Sequence, residues 1–279
     1  MNPVTLILGC GDVGSALALK LKAAGHRVIG ARRHPEHLPD GIERLALDVT
    51  QPESLPDSDI LVYAVSADRF DQEAYRMAYP EGLGAVLSVL AQRERPPRHI
   101  FFVSSTSVYD QSEGETVDEN SNTDPHSFSG KLMLSAEETL LSSGLPGTVV
   151  RFSGIYGPGR ERLIGQVREG RIVAETPVMY SNRIHRDDGA GVLAWLINRV
   201  LNGDTVAAYY LATDTSPAPL HDVMLWLAKE LKIEPTQKIQ SPLRRRASKR
   251  CSSARLEKEG YRFLYPTYKE GYRHILQQA

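Results

Sequence analysis

Apolar residues in the first hundred positions fall into short blocks separated by turn residues and helical stripes. Val4 to Leu8 is a β-branched and aliphatic run, as a strand buried on both faces of a parallel sheet requires. Val13, Leu17 and Leu21 then recur at helical spacing as far as Gly25, which predicts a helix closed by a glycine cap. Arg27 to Ala31 predicts a second strand, Glu43 to Leu47 a third and Asp59 to Val65 a fourth. Gln72 to Arg93 reads as one long helix, with Leu83, Val86, Leu87 and Leu90 on one face, and Pro96-Pro97 stops it. His99 to Val103 is a fifth strand and Thr148 to Arg151 a sixth. Strands alternating with helices at this spacing predict an α/β fold, a doubly wound parallel sheet with right-handed crossovers.

The first strand runs into Gly9-Cys10-Gly11-Asp12-Val13-Gly14, a G-x-G-x-x-G spacing that opens the first helix. In a Rossmann-type sheet the first glycine makes the tight turn, the second admits a pyrophosphate to the backbone, and the third lets helix and strand pack closely. Gly9, Gly11, Asp12, Val13 and Gly14 are therefore candidate dinucleotide contacts, with the helix N-terminus directed at the phosphates. The end of the second strand selects the cofactor, since a carboxylate there suits the ribose hydroxyl of NAD and an arginine suits the 2′-phosphate of NADP. This chain has Arg32 and Arg33, with no carboxylate before Glu36, so NADP is expected over NAD. The alternative is two solvated arginines at a strand end. Asp48 closes the third strand, either to accept from an adenine amino group or to cap the turn at Thr50 and Pro52. Ala64 and Val65, at the end of the fourth, are expected beneath the cofactor.

Composition narrows the remaining classes. At 279 residues with 41% hydrophobic content and a formal net charge of −1, the chain has the make-up of a soluble globular protein. It offers no global electrostatic case for nucleic acid or membranes. Two cysteines, Cys10 and Cys251, make no disulfide framework and fit a reducing, cytoplasmic setting. The apolar N-terminus lacks a basic leader and reads as a strand, and no run approaches a membrane span. No metal is expected, because no H-E-x-x-H or paired C-x-x-C spacing occurs.

The fifth strand leads into Ser104-Ser105-Thr106-Ser107-Val108-Tyr109, placed where a doubly wound sheet holds its substrate. Together with the glycine turn this resembles the extended short-chain dehydrogenase/reductase family, in its NAD(P)-dependent epimerase/dehydratase branch. The resemblance covers nearly the whole chain and implies that Ser105 hydrogen-bonds the reacting substrate oxygen. The family's Y-x-x-x-K is matched at Lys131, followed by Ala136-Glu137, but Ser127 stands at the tyrosine position. A serine hydroxyl is too weak an acid for the tyrosine's acid/base work, so Lys131 is expected to hold the nicotinamide ribose while proton transfer falls to another group. His126, Tyr109 and Tyr156 are the candidates, each with a loop or packing role as the alternative.

Arg151 to Arg160, RFSGIYGPGR, resembles the family segment that passes under the nicotinamide and begins the substrate lobe, and reads as a shaped loop. The resemblance implies that it contributes Ile155 to the cofactor site and Tyr156 and Arg160 to the substrate site. Asn182, His185 and Asp188 match the family's N-x-x-H-x-x-D at the next helix, with His185 read as a structural anchor. The cationic stretch SPLRRRASKR at 241–250 reads either as a solvated loop or, through Arg246, as a clamp for a phosphorylated or nucleotide-linked substrate. The expected division is a cofactor domain over 1–155, rejoined by 183–212, and a small substrate lobe of 156–182 and 213–279. The resemblance also allows a homodimer through the helices Gln72 to Arg93 and Lys131 to Ser142. Two functions follow: an NADP-dependent enzyme acting on a small molecule, or a dinucleotide-binding sensor or scaffold without turnover.

Overall fold

The structure is a computed structural model that describes residues 2–240 and 248–278. Strands form at β1 (Val4–Leu8), β2 (Arg27–Arg32), β3 (Glu43–Ala46), β4 (Ile60–Tyr63) and β5 (His99–Ser105), and at Gly147–Phe152 and Tyr209–Ala212. They make one seven-stranded sheet in the order Tyr209–Ala212, Gly147–Phe152, β5, β4, β1, β2, β3. Pairing is parallel between β1 and β2, β1 and β4, β2 and β3, and β4 and β5. The strand order reverses at β1, so its carboxyl end is the switch point where such sheets leave a crevice. Leu8 lies opposite Ala31 on one side and Tyr63 on the other, which brings the residues that follow these strands together. Leu6, Ile7, Leu8, Ile60, Leu61 and Val62 are wholly buried, the reason these strands carry unbroken apolar runs.

Helices α1 (Asp12–Ala23), α2 (Gln72–Arg76), α3 (Gly82–Ala91) and α4 (Phe128–Leu141) belong to the same layer system. The stretch expected as one helix from Gln72 widens into a π turn at Met77–Glu81, around Pro80. Proline has no N–H to donate and its ring crowds the preceding turn, so the ladder shifts. The Gly82 N–H reaches back to Met77 and passes over Ala78; the buried Tyr63 hydroxyl donates to the Ala78 carbonyl instead, at 2.7 Å. α4 is fastened to the sheet by a buried ionic cluster. Glu137 accepts from Arg151 Nη2 at 2.7 Å and Nε at 3.0 Å, and from the Ser104 hydroxyl at 2.5 Å.

The chain packs as two compact units. One comprises Met1–Val108, Thr123–Arg151 and Ala190–Tyr210; the other comprises Tyr109–Asn122, Phe152–Gly189 and Leu211–Ala279. The second takes in residues 109–122, 152–155, 183–189 and 211–212, which the sequence assigned to the cofactor domain. Strand pairing explains the difference: Thr116–Val117 pairs with Arg250–Cys251, and Gly154–Tyr156 pairs with Arg183–His185. The latter pair also corrects the expectation of a loop throughout 151–160. The core of the second unit gathers Tyr156, Ile164, Val167, Val223, Leu227 and Tyr272. Within it Asn182 bonds the Lys249 carbonyl and the Cys251 N–H, and Asp188 accepts the N–H groups of Leu264 and Tyr265 at 2.7 and 2.8 Å. His185 is fully buried between the rings of Tyr156 and Tyr265, as a packing anchor. Among the described residues no helix is long and apolar enough to cross a membrane.

Candidate functional site

The turn after β1 is held by its own backbone, with Gly9 and Cys10 both donating to the Ala31 carbonyl at 3.0 Å. Gly9 has φ of +76°, and a side chain there would stand 2.6 Å from the carbonyl carbon of Ala64 and nearer still to Val65. Gly14 is confined by Gly9 and Ile7, at 3.1 and 3.2 Å from where its Cβ would be. The protein's own packing therefore accounts for both. It does not account for Gly11, where a Cβ would find nothing nearer than the Gly9 oxygen at 3.9 Å. Gly11 borders a cleft of about 400 Å³ lined also by Gly9, Arg32, Asp48 and Val65. Its missing side chain leaves room for a diphosphate to approach the backbone, and α1 begins there with no side chain capping its first turn. Cys10 is buried in this turn, and burial pushes its thiol up to about 11, so it serves as packing.

Charge collects at the mouth of the cleft. Arg32, Arg33 and His34 line one wall beside Asp48, and Ser66 to Arg69 line another. Arg33 Nη2 donates to both oxygens of Asp68 at 2.6 and 2.7 Å. Arg32 makes no ion pair among the described residues. Asp48 takes the turn-capping role: its Oδ1 accepts the Thr50 N–H at 2.9 Å and the Thr50 hydroxyl at 2.7 Å. These bonds hold its carboxyl below the ordinary range. Ala64, whose N–H continues the pairing to Leu8 at 2.8 Å, lies directly against Gly9.

Farther along the sheet, β5 ends in a tight turn in which Ser105 Oγ accepts the Ser107 N–H at 3.1 Å. The first turn of α4 presses onto this segment at Gly130, where a Cβ would lie 2.5 Å from the Ser107 carbonyl oxygen. Glycine thus permits the contact that brings Ser105 and the turn bearing Ser127 and Lys131 into one neighbourhood. Ser127 is the N-cap of α4, its Oγ accepting the Gly130 N–H at 3.1 Å, and Lys131 is exposed.

The chain matches the NAD(P)H-binding family over residues 9–199. The chain belongs to this NAD(P)H-binding, epimerase/dehydratase-like family. A structure from Methylobacillus flagellatus, a candidate NAD-dependent epimerase/dehydratase, is 39% identical over all of this chain and 99% of that one, with a TM-score of 0.83. The fold is also that of human epimerase family protein SDR39U1 with NADPH, at 20% identity, TM-score 0.82, and 99% and 100% of the two chains. UDP-glucuronic acid 4-epimerase from Bacillus cereus, with UDP-glucuronic acid and NAD, superimposes at 17% identity, TM-score 0.78, and likewise 99% and 100% of the two chains. No curated protein matches the chain.

Not every residue singled out by the family resemblance stands at a surface. Tyr109 is 1% exposed and donates its hydroxyl to the Asp118 carbonyl at 2.8 Å. Tyr156 is a core residue packed on Tyr272 and His185, and burial pushes its phenol upward, away from any acid/base role near neutrality. For both, packing is the role the structure displays. Ile155 is half-buried in the strand Gly154–Tyr156, and Arg160 and His126 are exposed. Arg246 lies outside the described residues. Lys249 and Arg250, the described cations of that stretch, are tied to the carbonyls of Tyr109 and Gly114, both at 2.8 Å. Sequence reasoning missed Asp68, Arg69, Glu73 and Ala74 in the cleft wall. The signal was available for Asp68 and Arg69, which lie in the loop after β4, beside the switch point, whereas Glu73 and Ala74 enter the wall from α2.

Proposed function

We propose that the protein is an NADP(H)-dependent oxidoreductase or epimerase acting on the carbonyl or hydroxyl of a small molecule, such as a nucleotide-linked sugar, with Ser127 at the position of the family's tyrosine. Gly11 carries this reading, since it borders the cleft and no neighbouring atom of the chain fills the place of its missing side chain. Arg32, at the end of β2, offers a guanidinium where the ribose 2′ substituent is read. The dinucleotide supplies a hydride donor or acceptor. Gly9 to Gly14 hold its diphosphate, Lys131 its nicotinamide ribose, and Ser105 hydrogen-bonds the reacting oxygen. The two buried thiols suit a reducing cytoplasm.

A second reading, a dinucleotide sensor or scaffold without turnover, is favoured by one observation: the Ser127 oxygen is engaged as a helix cap. Two measurements decide. Titration should show NADPH binding more tightly than NADH, with Arg32→Asp erasing the difference; equal affinities in the wild type refute the arginine argument. Incubation with NADP+ and a panel of UDP- and dTDP-sugars, followed by the absorbance of reduced nicotinamide, tests turnover. A signal lost in Ser105→Ala supports the enzyme. Silence across the panel, with cofactor binding unchanged in that variant, supports the sensor.

A further inference from the structure

We infer that Asp68 sets how strongly the cleft discriminates a 2′-phosphorylated dinucleotide from one with a free 2′-hydroxyl, by competing with that phosphate for Arg33. The inference rests on the cofactor reading above and adds a residue that opposes it. Arg33 directly follows β2 and Asp68 lies in the loop after β4, and both line the cleft. Their bond therefore straps one wall to the other. One guanidinium nitrogen engages both carboxylate oxygens, at 2.6 and 2.7 Å, which leaves the other nitrogens out of the pair. With side chains 55% and 62% exposed, the pair is solvent-screened and exchangeable. Asp48 adds a second carboxylate to the field around Arg33.

A dinucleotide with a free hydroxyl leaves this strap intact. A 2′-phosphate, nearly dianionic, gains Arg33 only by sharing it with Asp68, and it brings like charges together at the mouth. Arg32 attracts the phosphate while Asp68 repels it. Two arginines at a strand end thus look more selective in sequence than they act together with the carboxylate 35 positions on.

The test is titration of NADPH and NADH into the full-length protein and its Asp68→Asn variant, followed by nicotinamide fluorescence. NADPH should bind about three- to tenfold more tightly to Asp68→Asn, and NADH within about twofold of wild type, as expected for one screened ion pair and one charge repulsion. The gain should shrink at about 0.5 M salt. It should also disappear when Arg33→Ala is introduced alongside, because the competition then has no object. Unchanged or weaker NADPH binding by Asp68→Asn overturns the inference, as does equal tightening of both cofactors. If the wild type binds neither dinucleotide, the cleft reading itself falls and takes this one with it. Selective NADPH binding that ignores Asp68 removes only the role of Asp68.

Discussion

The side-chain oxygen of Ser127 accepts the backbone N–H of Gly130 at 3.1 Å, and so closes the first turn of α4. A cap of this kind satisfies one of the donors that a helix start leaves without a partner. Ser127→Ala should lower unfolding stability by about 1 kcal/mol. Ser127→Asp, another good cap, should restore it. NADPH binding should persist in both variants. If the serine instead moves a proton, Ser127→Ala abolishes turnover without shifting the melt, and Ser127→Asp separates the two properties. Thermal denaturation beside a turnover assay reads both.

Gly9 and Gly11 are two residues apart and ought to fail differently. Alanine at Gly9 meets a positive φ and the backbone at Ala64 and Val65, so the variant should be strongly destabilised or fail to fold. Alanine at Gly11 meets no atom closer than 3.9 Å, so any loss of stability should be far smaller than at Gly9. Its methyl group would then stand where a diphosphate approaches, and dinucleotide affinity should fall at least about tenfold. Urea unfolding and fluorescence titration of both variants check the contrast. A Gly11→Ala protein that is stable and binds normally would take away the main support for the cleft.

Glu137 and Arg151 form an ion pair with almost no solvent contact, at 2.7 Å, and Ser104 completes it. Removing one partner from such a pair leaves a buried charge without compensation. Glu137→Ala should therefore cost about 3–5 kcal/mol. The double variant Glu137→Leu with Arg151→Met should lose much less than the sum of the two single changes, because it buries no charge. Urea denaturation of the four proteins closes the cycle. Additive losses would mean that the pair contributes nothing beyond packing.

These pairings mark the limit of what the sequence displayed. Apolar runs and helical spacing fixed the strands around β1, because burial on both faces of a sheet leaves a periodic trace. G-x-G-x-x-G was legible because a turn, a close approach and a helix start each demand glycine. Glu137 with Arg151 and Arg33 with Asp68 join positions 14 and 35 apart, and no periodicity announces which opposite charges will meet. Pro80 lies inside the stretch read as one helix, and there the helix widens into a π turn whose Ala78 carbonyl takes its donor from the Tyr63 hydroxyl, a partner that no periodicity announces. Tyr109 and Tyr156 attracted attention as phenols, whereas burial, which residue type alone does not reveal, decided their role.

Asp214, in the second unit, is 1% exposed and ought to write its own signature into stability against pH. Its N–H bonds the Arg183 carbonyl at 2.7 Å, one carboxylate oxygen accepts the Ser216 N–H at 3.1 Å, and the other has no partner among the described residues. Burial raises its pKa from 3.8 to about 7, against the attraction of Arg183. The folded protein thus keeps the proton over a range in which the unfolded chain has lost it. Stability from this group is fully present below about pH 4, declines as pH rises to about 7, and is level above that. Relative to Asp214→Asn, which cannot titrate there, the wild type should lose up to about 4 kcal/mol between pH 4 and pH 7.5. Urea denaturation of both proteins at several pH values gives the difference directly, and other titrating groups cancel in it. A difference that stays flat would place Asp214 in contact with water. One that grows in favour of the wild type with rising pH would mean that Arg183 holds the carboxylate ionised inside the core.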